Sequence, residues 1–395
     1  EISCSLVGSE MCIRDRYSMS DTISIYKGDN HRECDIDEAK KSFAQYLQTE
    51  NLNFLIGCGC SSNVEDGKEL AIPIMNGLYK SFFEGNPDFD IAGIDPKDKF
   101  DNNLESMLDT MLSIKMTNYL VKTDERIDEK IKAVQKHIVD KIINGQNCKS
   151  VLDYYKSFYL KLVQPSRRQP INIFTTNYDL FNEQALDSLG FYYNNGFSGS
   201  CIRKFNPNVY NYVYVENMNL HKDVWGRVSS FFNLYKIHGS INWVVENNEV
   251  FEKPVDSCVE ERVLIYPTPQ KDRSTLMTPY SDLMRNMQQE LVKNNSVLVT
   301  LGYSFSDDHI NRIILNSLSN PSFKLIVLGS GTNIKKLIEL NDKRIIVINS
   351  DNKIHYFKNF VKELMPDIEE SIQEEMELTD GVAAIKEFES LSEDK

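Results

Sequence analysis

Two signatures alternate along the chain. Short runs of large or β-branched apolar residues stop abruptly in polar clusters, and apolar residues at helical spacing follow them. The sharpest case is Ile171-Asn-Ile-Phe-Thr175, which gives way to Thr176-Asn177-Tyr178-Asp179 before a helical stretch at 180–189. This predicts a buried strand feeding a helix, with polar side chains gathered at the strand's carboxyl end. Open α/β sheets bind ligands at that edge. Two further runs end the same way, one in Gly57-Cys58-Gly59-Cys60-Ser61 and one in His238-Gly239-Ser240.

The pattern also predicts an amphipathic helix at 35–47 behind an acidic first turn, and another helix at 74–83. From 101 to about 163 strand signals vanish, and three helical patterns succeed one another at 104–121, 127–143 and 151–162. One βαβ crossover needs a single helix, so the stretch is expected to be an insertion over the sheet edge. Pro165 to Pro170 leads back to the sheet. Strands are expected at 213–216, 232–237 and 263–266, a hairpin at 241–245 and 250–253 around Glu246-Asn247-Asn248-Glu249, and a helix at 280–292. The last third alternates strand (296–301), helix (308–318), strand (323–328), helix (334–340) and strand (344–348) with short links, which implies parallel pairing.

The expected fold class is therefore α/β, a Rossmann-like doubly wound parallel sheet with an inserted helical subdomain. The sheet domain would occupy 19–100 and 166–355, the insertion 101–165, and an acidic helical tail 356–395. Residues 1–18 lack core periodicity and read as an adaptor-derived leader, with the natural start at Met19.

Composition narrows the function classes. With 395 residues, 41% of them hydrophobic and 26% charged, the chain is globular, and no apolar run approaches the roughly 18 residues of a membrane span. A net charge of -14 argues against a broad nucleic-acid face but leaves room for a local cleft that takes an anionic cofactor. The eight cysteines include no CxxC pair, which argues against a paired zinc site and a disulfide framework, and points to the cytoplasm.

Each polar cluster has a plain explanation when taken alone. Asn177 or Asp179 could cap the next helix, His238 could be a core histidine, and Gly302-Tyr303-Ser304 could be a simple turn. The Gly57-x-Gly59-x-Ser61 loop lacks the third glycine of a dinucleotide fingerprint. Asp307-Asp308-His309 opens a helix, where acidic caps are expected, and is read as a cap before a metal cluster. Cys58 and Cys60 are expected to line a tight loop, and Trp243 to pack the hairpin.

In order along the chain, GCGCS, TTNYD, KIHGSINW and LGYSFSDDHI resemble the sirtuin superfamily, and in particular the sirtuin-like domains of bacterial antiphage defence. The resemblance spans about 53–349. It implies NAD as substrate, with Gly57, Cys58, Gly59 and Ser61 at the pyrophosphate and nearby ribose. Asn177 and Asp179 would face the nicotinamide ribose and carboxamide with Thr176 beside them, and His238 would be the catalytic histidine. Gly302, Tyr303 and Ser304 would line the ribose side, and Asn349 the adenosine end. Protein-deacylating sirtuins carry four zinc-binding cysteines between the histidine and the later glycine turn, where this chain has only Cys258. The resemblance therefore implies an NAD⁺ glycohydrolase without zinc, self-assembled and paired with a HerA-like hexameric ATPase. The alternatives are a catalytically quiet NAD- or ADP-ribose-binding module and, less favoured, a deacylase.

Overall fold

The computed structural model describes residues 22–367 except 63, 66–67, 70, 122–123, 165–166, 168, 220–223, 229–230, 258–261 and 265–277. The expected leader, Cys258 and the tail from 368 onward lie outside the described residues. Nine strands make the main sheet: β1 (Ile23–Lys27), β2 (Asn30–Cys34), β3 (Asn51–Ile56), β4 (Ile171–Thr175), β5 (Tyr192–Asn194), β6 (Phe231–Lys236), β7 (Ser296–Leu301), β8 (Lys324–Leu328) and β9 (Ile345–Ser350). Their order across the sheet is β2-β1-β9-β8-β7-β3-β4-β6-β5. From β9 to β5 every pairing is parallel.

Among the described residues, the helices that flank the sheet include α1 (Ile36–Leu47), α2 (Met75–Gly85), α3 (Leu104–Val121), α4 (Ile127–Gly145), α5 (Lys149–Leu162), α6 (Phe181–Ser188), α7 (Tyr280–Leu291), α8 (Asp308–Ser317) and α9 (Thr332–Glu339). Successive strand residues point to opposite faces, and both faces are covered. Phe54, Ile173, Leu234 and Val299 join the core that holds Phe43, Phe82, Met107, Phe158 and Phe181 from α1, α2, α3, α5 and α6. Leu55, Phe174, Tyr235 and Leu298 join the opposite core, built on Leu283, Ile310 and Leu337 from α7, α8 and α9. The doubly wound α/β sheet expected from the pattern is what the chain forms.

Some elements differ from expectation. The β1–β2 hairpin, absent from the pattern reading, adds antiparallel to β9, so the parallel sheet carries an antiparallel edge. Strand β2 reads Asn-His-Arg-Glu-Cys and is almost wholly exposed, which leaves it no apolar alternation to detect. The strand expected at 213–216 runs Val215–Asn219 and pairs with Val224–Arg227. Helices α3, α4 and α5 appear where the insertion was expected, and α5 lies directly on the sheet. Its Phe158 ring meets Phe54 of β3 edge-on at 5.1 Å, and its Tyr159 hydroxyl donates to Asn182 of α6 at 2.7 Å. It therefore serves as the crossover helix from β3 to β4.

The hairpin around Trp243 forms as Gly239–Glu246 against Glu249–Glu252, with Asn247 and Asn248 both at positive φ as a tight primed turn requires. Trp243 is fully buried, its ring 5.0 Å from that of Phe197. Among the described residues no helix is long and apolar enough to cross a membrane.

From β3 the chain moves outward through β4 to β6, then returns to the other side of β3 and continues outward through β7, β8 and β9. The direction of winding reverses between β3 and β7. In open α/β sheets the ligand crevice lies at the carboxyl ends of the strands at such a reversal.

Candidate functional site

The four motifs emerge from four adjacent strands, in the order β7, β3, β4, β6, and all at their carboxyl ends. The loops after β3 and β7 are locked together. The Gly57 and Gly59 amides donate to the carbonyls of Leu301 and Gly302 at 2.8 and 3.0 Å. A Cβ on Gly57 would stand 2.5 Å from the Gly302 oxygen, and one on Gly302, whose φ is +60°, would stand 2.6 Å from the Cys60 nitrogen. Glycine is required here because two backbones touch. The Cys60 and Ser61 amides donate within the turn, to Gly57 and Cys58. The Gly57, Gly59 and Ser61 amides, in the loop expected at a pyrophosphate, are thus already engaged with protein carbonyls, and the glycines' smallness serves the loop contact. Burial raises the Cys60 thiol well above its ordinary value, so it is no ready thiolate nucleophile at neutral pH, while Cys58 beside it is exposed.

The loop after β4 is drawn against the same turn. The Thr175 hydroxyl and the Thr176 amide both donate to the Ile56 carbonyl, at 3.0 and 3.1 Å. The Asn177 amide nitrogen Nδ2 donates to the Gly57 carbonyl at 3.1 Å and to Ser61 Oγ at 2.9 Å. A carbonyl can only accept, so the amide orientation is settled and Oδ1 points the other way. That oxygen is buried and has no hydrogen-bond donor among the described residues. Ser61, itself 1% exposed, also bonds the Asp179 carboxylate and lies 3.0 Å from the Tyr155 hydroxyl. A hydroxyl has one proton to give, so with Ser61 donating to Asp179 the Tyr155 hydroxyl is the donor to Ser61.

Asp179 is buried, and desolvation raises its carboxyl above the ordinary range against the pull of Lys236. It also accepts from the Phe181 amide at 3.1 Å, from the position before the helix's N-cap, Leu180. Lys236, 1% exposed at the end of β6, donates to the carbonyls of Tyr178 and Asp179 and pairs with Glu183 of α6 at 3.0 Å. The buried lysine thereby ties the Asn177–Asp179 turn to the neighbouring strand. Ser240 Oγ and the Ile241 amide add bonds to the Tyr178 carbonyl at 3.3 and 3.1 Å.

His238, 7% exposed, sits in the loop after β6, and its Nε2 lies 3.1 Å from Oδ2 of Asp307 in the loop after β7. Strands β3 and β4 lie between β6 and β7, a separation of roughly 14 Å at about 4.8 Å per strand. The contact therefore arches across the carboxyl ends of the two central strands. Asp307 caps α8 as expected, its Oδ1 accepting from the His309 amide at 3.2 Å. Among the described residues no group of three or more His, Cys, Asp or Glu could hold a metal ion.

Gly57, Ser61, Asn177 and Asp179 thus form one bonded cluster, Thr176 anchors it, and His238 stands on the adjoining loop. The Tyr303 hydroxyl turns inward to the Asp307 carbonyl and Asn311 Oδ1, at 3.3 and 3.1 Å. Ser304 is exposed and pairs with Ser306 at 2.9 Å. Asn349 lies on β9, three strands from β3, and its side chain accepts from the Ser350 amide at 2.8 Å. Tyr155, Lys236 and Glu183 were missed by sequence reasoning. The one available signal was a lysine ending an otherwise apolar strand.

Comparison with curated proteins finds no match. The part of the chain that carries Asn177, His238 and Asp307 is similar to a known family: residues 171–348 match the model of the SIR2-like domain, a range narrower than the resemblance read from the motifs and one that leaves out the Gly57 turn.

Proposed function

We propose that the protein is an NAD⁺ glycohydrolase that cleaves the bond between nicotinamide and ribose, giving nicotinamide and ADP-ribose. The supporting family match is the SIR2-like domain, whose members act on NAD⁺. The observation that carries the reading is Asn177 Oδ1, a buried acceptor without a protein donor at the carboxyl edge of the sheet. Leaving such an atom unpaired costs about 1–3 kcal/mol, a cost relieved by a hydroxyl or water that donates to it. A ribose hydroxyl or the attacking water has the donor this oxygen needs. Binding of the pyrophosphate at Gly57, Cys58 and Gly59, and of the ribose and adenosine ends at Tyr303, Ser304 and Asn349, rests on the resemblance alone.

The chemistry asks little nucleophilicity of the protein, because the leaving group is a cationic pyridinium. The C1′–N bond breaks with its electron pair going to nicotinamide, the sugar passes through an oxocarbenium-like state, and a water oxygen bonds C1′. In this reading Asn177 holds the water or hydroxyl, Asp179 faces the carboxamide and the spreading positive charge, and His238 takes the water's proton. The resemblance extends the proposal to NAD depletion in antiphage defence, with self-assembly and a HerA-like hexameric ATPase as partner.

Incubation of purified protein with NAD⁺, with and without such an ATPase, should release nicotinamide, and Asn177→Ala and His238→Ala should each abolish release. A quiet binding module is the second reading, since the unmet Asn177 oxygen would accept from a bound ribose whether or not the glycosidic bond breaks. Tight NAD⁺ or ADP-ribose binding without release would establish it. Light scattering at the monomer mass of 45.6 kDa would count against self-assembly.

A further inference from the structure

We propose that Asp307 is a positioning residue for His238: its Oδ2 stands 3.1 Å from imidazole Nε2, where it orients the ring and stabilises the imidazolium formed when His238 takes a proton. The inference rests on the reading of His238 as the base. Both side chains are 8% exposed and their atoms stand 3.1 Å apart, where solvent screens a charge on the ring from the carboxylate only weakly. The two oxygens of Asp307 divide the work, Oδ1 on the His309 amide at the start of α8 and Oδ2 on the imidazole. A cap alone explains only the first, since asparagine or serine would cap as well.

The loop that carries Asp307 is held against its own preference. Phe305, a bulky residue, has φ +55°, and such backbone strain persists only where its surroundings impose it. Asn311 and Asn333 impose it here, each donating its side-chain amide to the Phe305 carbonyl, at 3.0 and 3.1 Å. The Tyr303 hydroxyl and the Asn311 backbone amide hold the Asp307 carbonyl, at 3.3 and 2.9 Å. The carboxylate is thus fixed from its own side before it meets the histidine across two intervening strands. A fixed carboxylate beside a histidine base, stabilising the imidazolium formed on proton uptake, is an arrangement hydrolases use. Among the described residues, the titratable groups on these loops include Cys58 and Cys60 after β3, Tyr178 and Asp179 after β4, Lys236 at the end of β6, Tyr303 after β7, and Asp308 and His309 on α8.

The test compares Asp307→Asn, which keeps the size and the cap, with Asp307→Ser, which keeps the cap but is too short to reach the imidazole. Imidazole resonances of histidine-labelled protein are followed over about pH 5–9, and His238 is identified by the signal lost in His238→Gln. The expected result is a His238 midpoint lower by about one unit or more in both variants. In nicotinamide release, kcat should fall about tenfold or more while KM for NAD⁺ changes less than about threefold. The base limb of the pH–rate profile should move with the resonance midpoint. Unchanged His238 resonances in Asp307→Asn overturn the proposal, and so does a rate loss expressed only in KM. Should wild-type protein release no nicotinamide while the resonances move as stated, the positioning role stands and the glycohydrolase reading falls.

Discussion

The charge on Asp179 is costly where it sits. Burial favours its protonated form, and Lys236 only partly opposes this. The folded chain therefore holds this proton more tightly than the unfolded chain does. Its contribution to stability is greatest below the ordinary value of 3.8 and is lost as pH rises through the raised folded value. Asparagine at 179 keeps an acceptor for the Phe181 amide and carries no charge. The thermal midpoint of Asp179→Asn relative to wild type should accordingly improve as pH goes from about 4 to about 7. Glu183, raised by the same kind of burial, is common to both proteins and cancels in the difference. A gap that does not change with pH would mean that Asp179 is not desolvated in the folded chain. At this scale the sequence revealed Asn177, Asp179 and His238, because each ends an apolar run. Tyr155 looked like one more apolar position on a helix, and Asp307 like an ordinary cap, because their partners are distant in sequence.

Among the elements, the strands of the central sheet are registered by a row of buried amides. Asn53 donates to Ser296 Oγ at 2.9 Å, Asn172 to Asn53 at 2.9 Å, Asn233 to Asn172 at 3.0 Å and Asn194 to Asn233 at 3.3 Å, crossing β7, β3, β4, β6 and β5. Asn172 also reaches Glu290 of α7 at 3.0 Å. A one-residue slip of any strand would break the row and turn its amides to the other face. Leucine at 172 fills the space but strands its partners on Asn53, Asn233 and Glu290. Its expected cost is about 3 kcal/mol in denaturant unfolding with an unchanged m-value. A loss under about 1 kcal/mol would mean that the row contributes little. The row was not legible in advance, since an asparagine inside an apolar run reads as an interruption until neighbouring strands are aligned. The strands and helices were legible because burial on both faces writes continuous apolar runs. The β1–β2 hairpin was not, because its outer strand buries almost nothing.

At the scale of the whole molecule, charge decides how an anionic ligand is met. The chain carries a net charge of -14, and among the described residues the turns at the sheet edge include Lys236 beside Asp179, Asp307 and Asp308. Lys236 is buried and already paired with Glu183, so it offers little attraction outward. A cleft that recruits phosphates with exposed basic side chains loses affinity steeply as salt rises. Under the proposed function, the far field would repel the nucleotide, and recognition would fall to short-range hydrogen bonds that salt barely touches. For the proposed glycohydrolase, kcat/KM for NAD⁺ should therefore stay level or rise up to about threefold between about 10 and 150 mM monovalent salt, as screening removes repulsion beyond a Debye length of about 8 Å. Steady-state nicotinamide release across that range measures it. A fall of about tenfold would require a basic binding surface contributed from outside these four loops, and would move the nucleotide's phosphates away from the Gly57 turn.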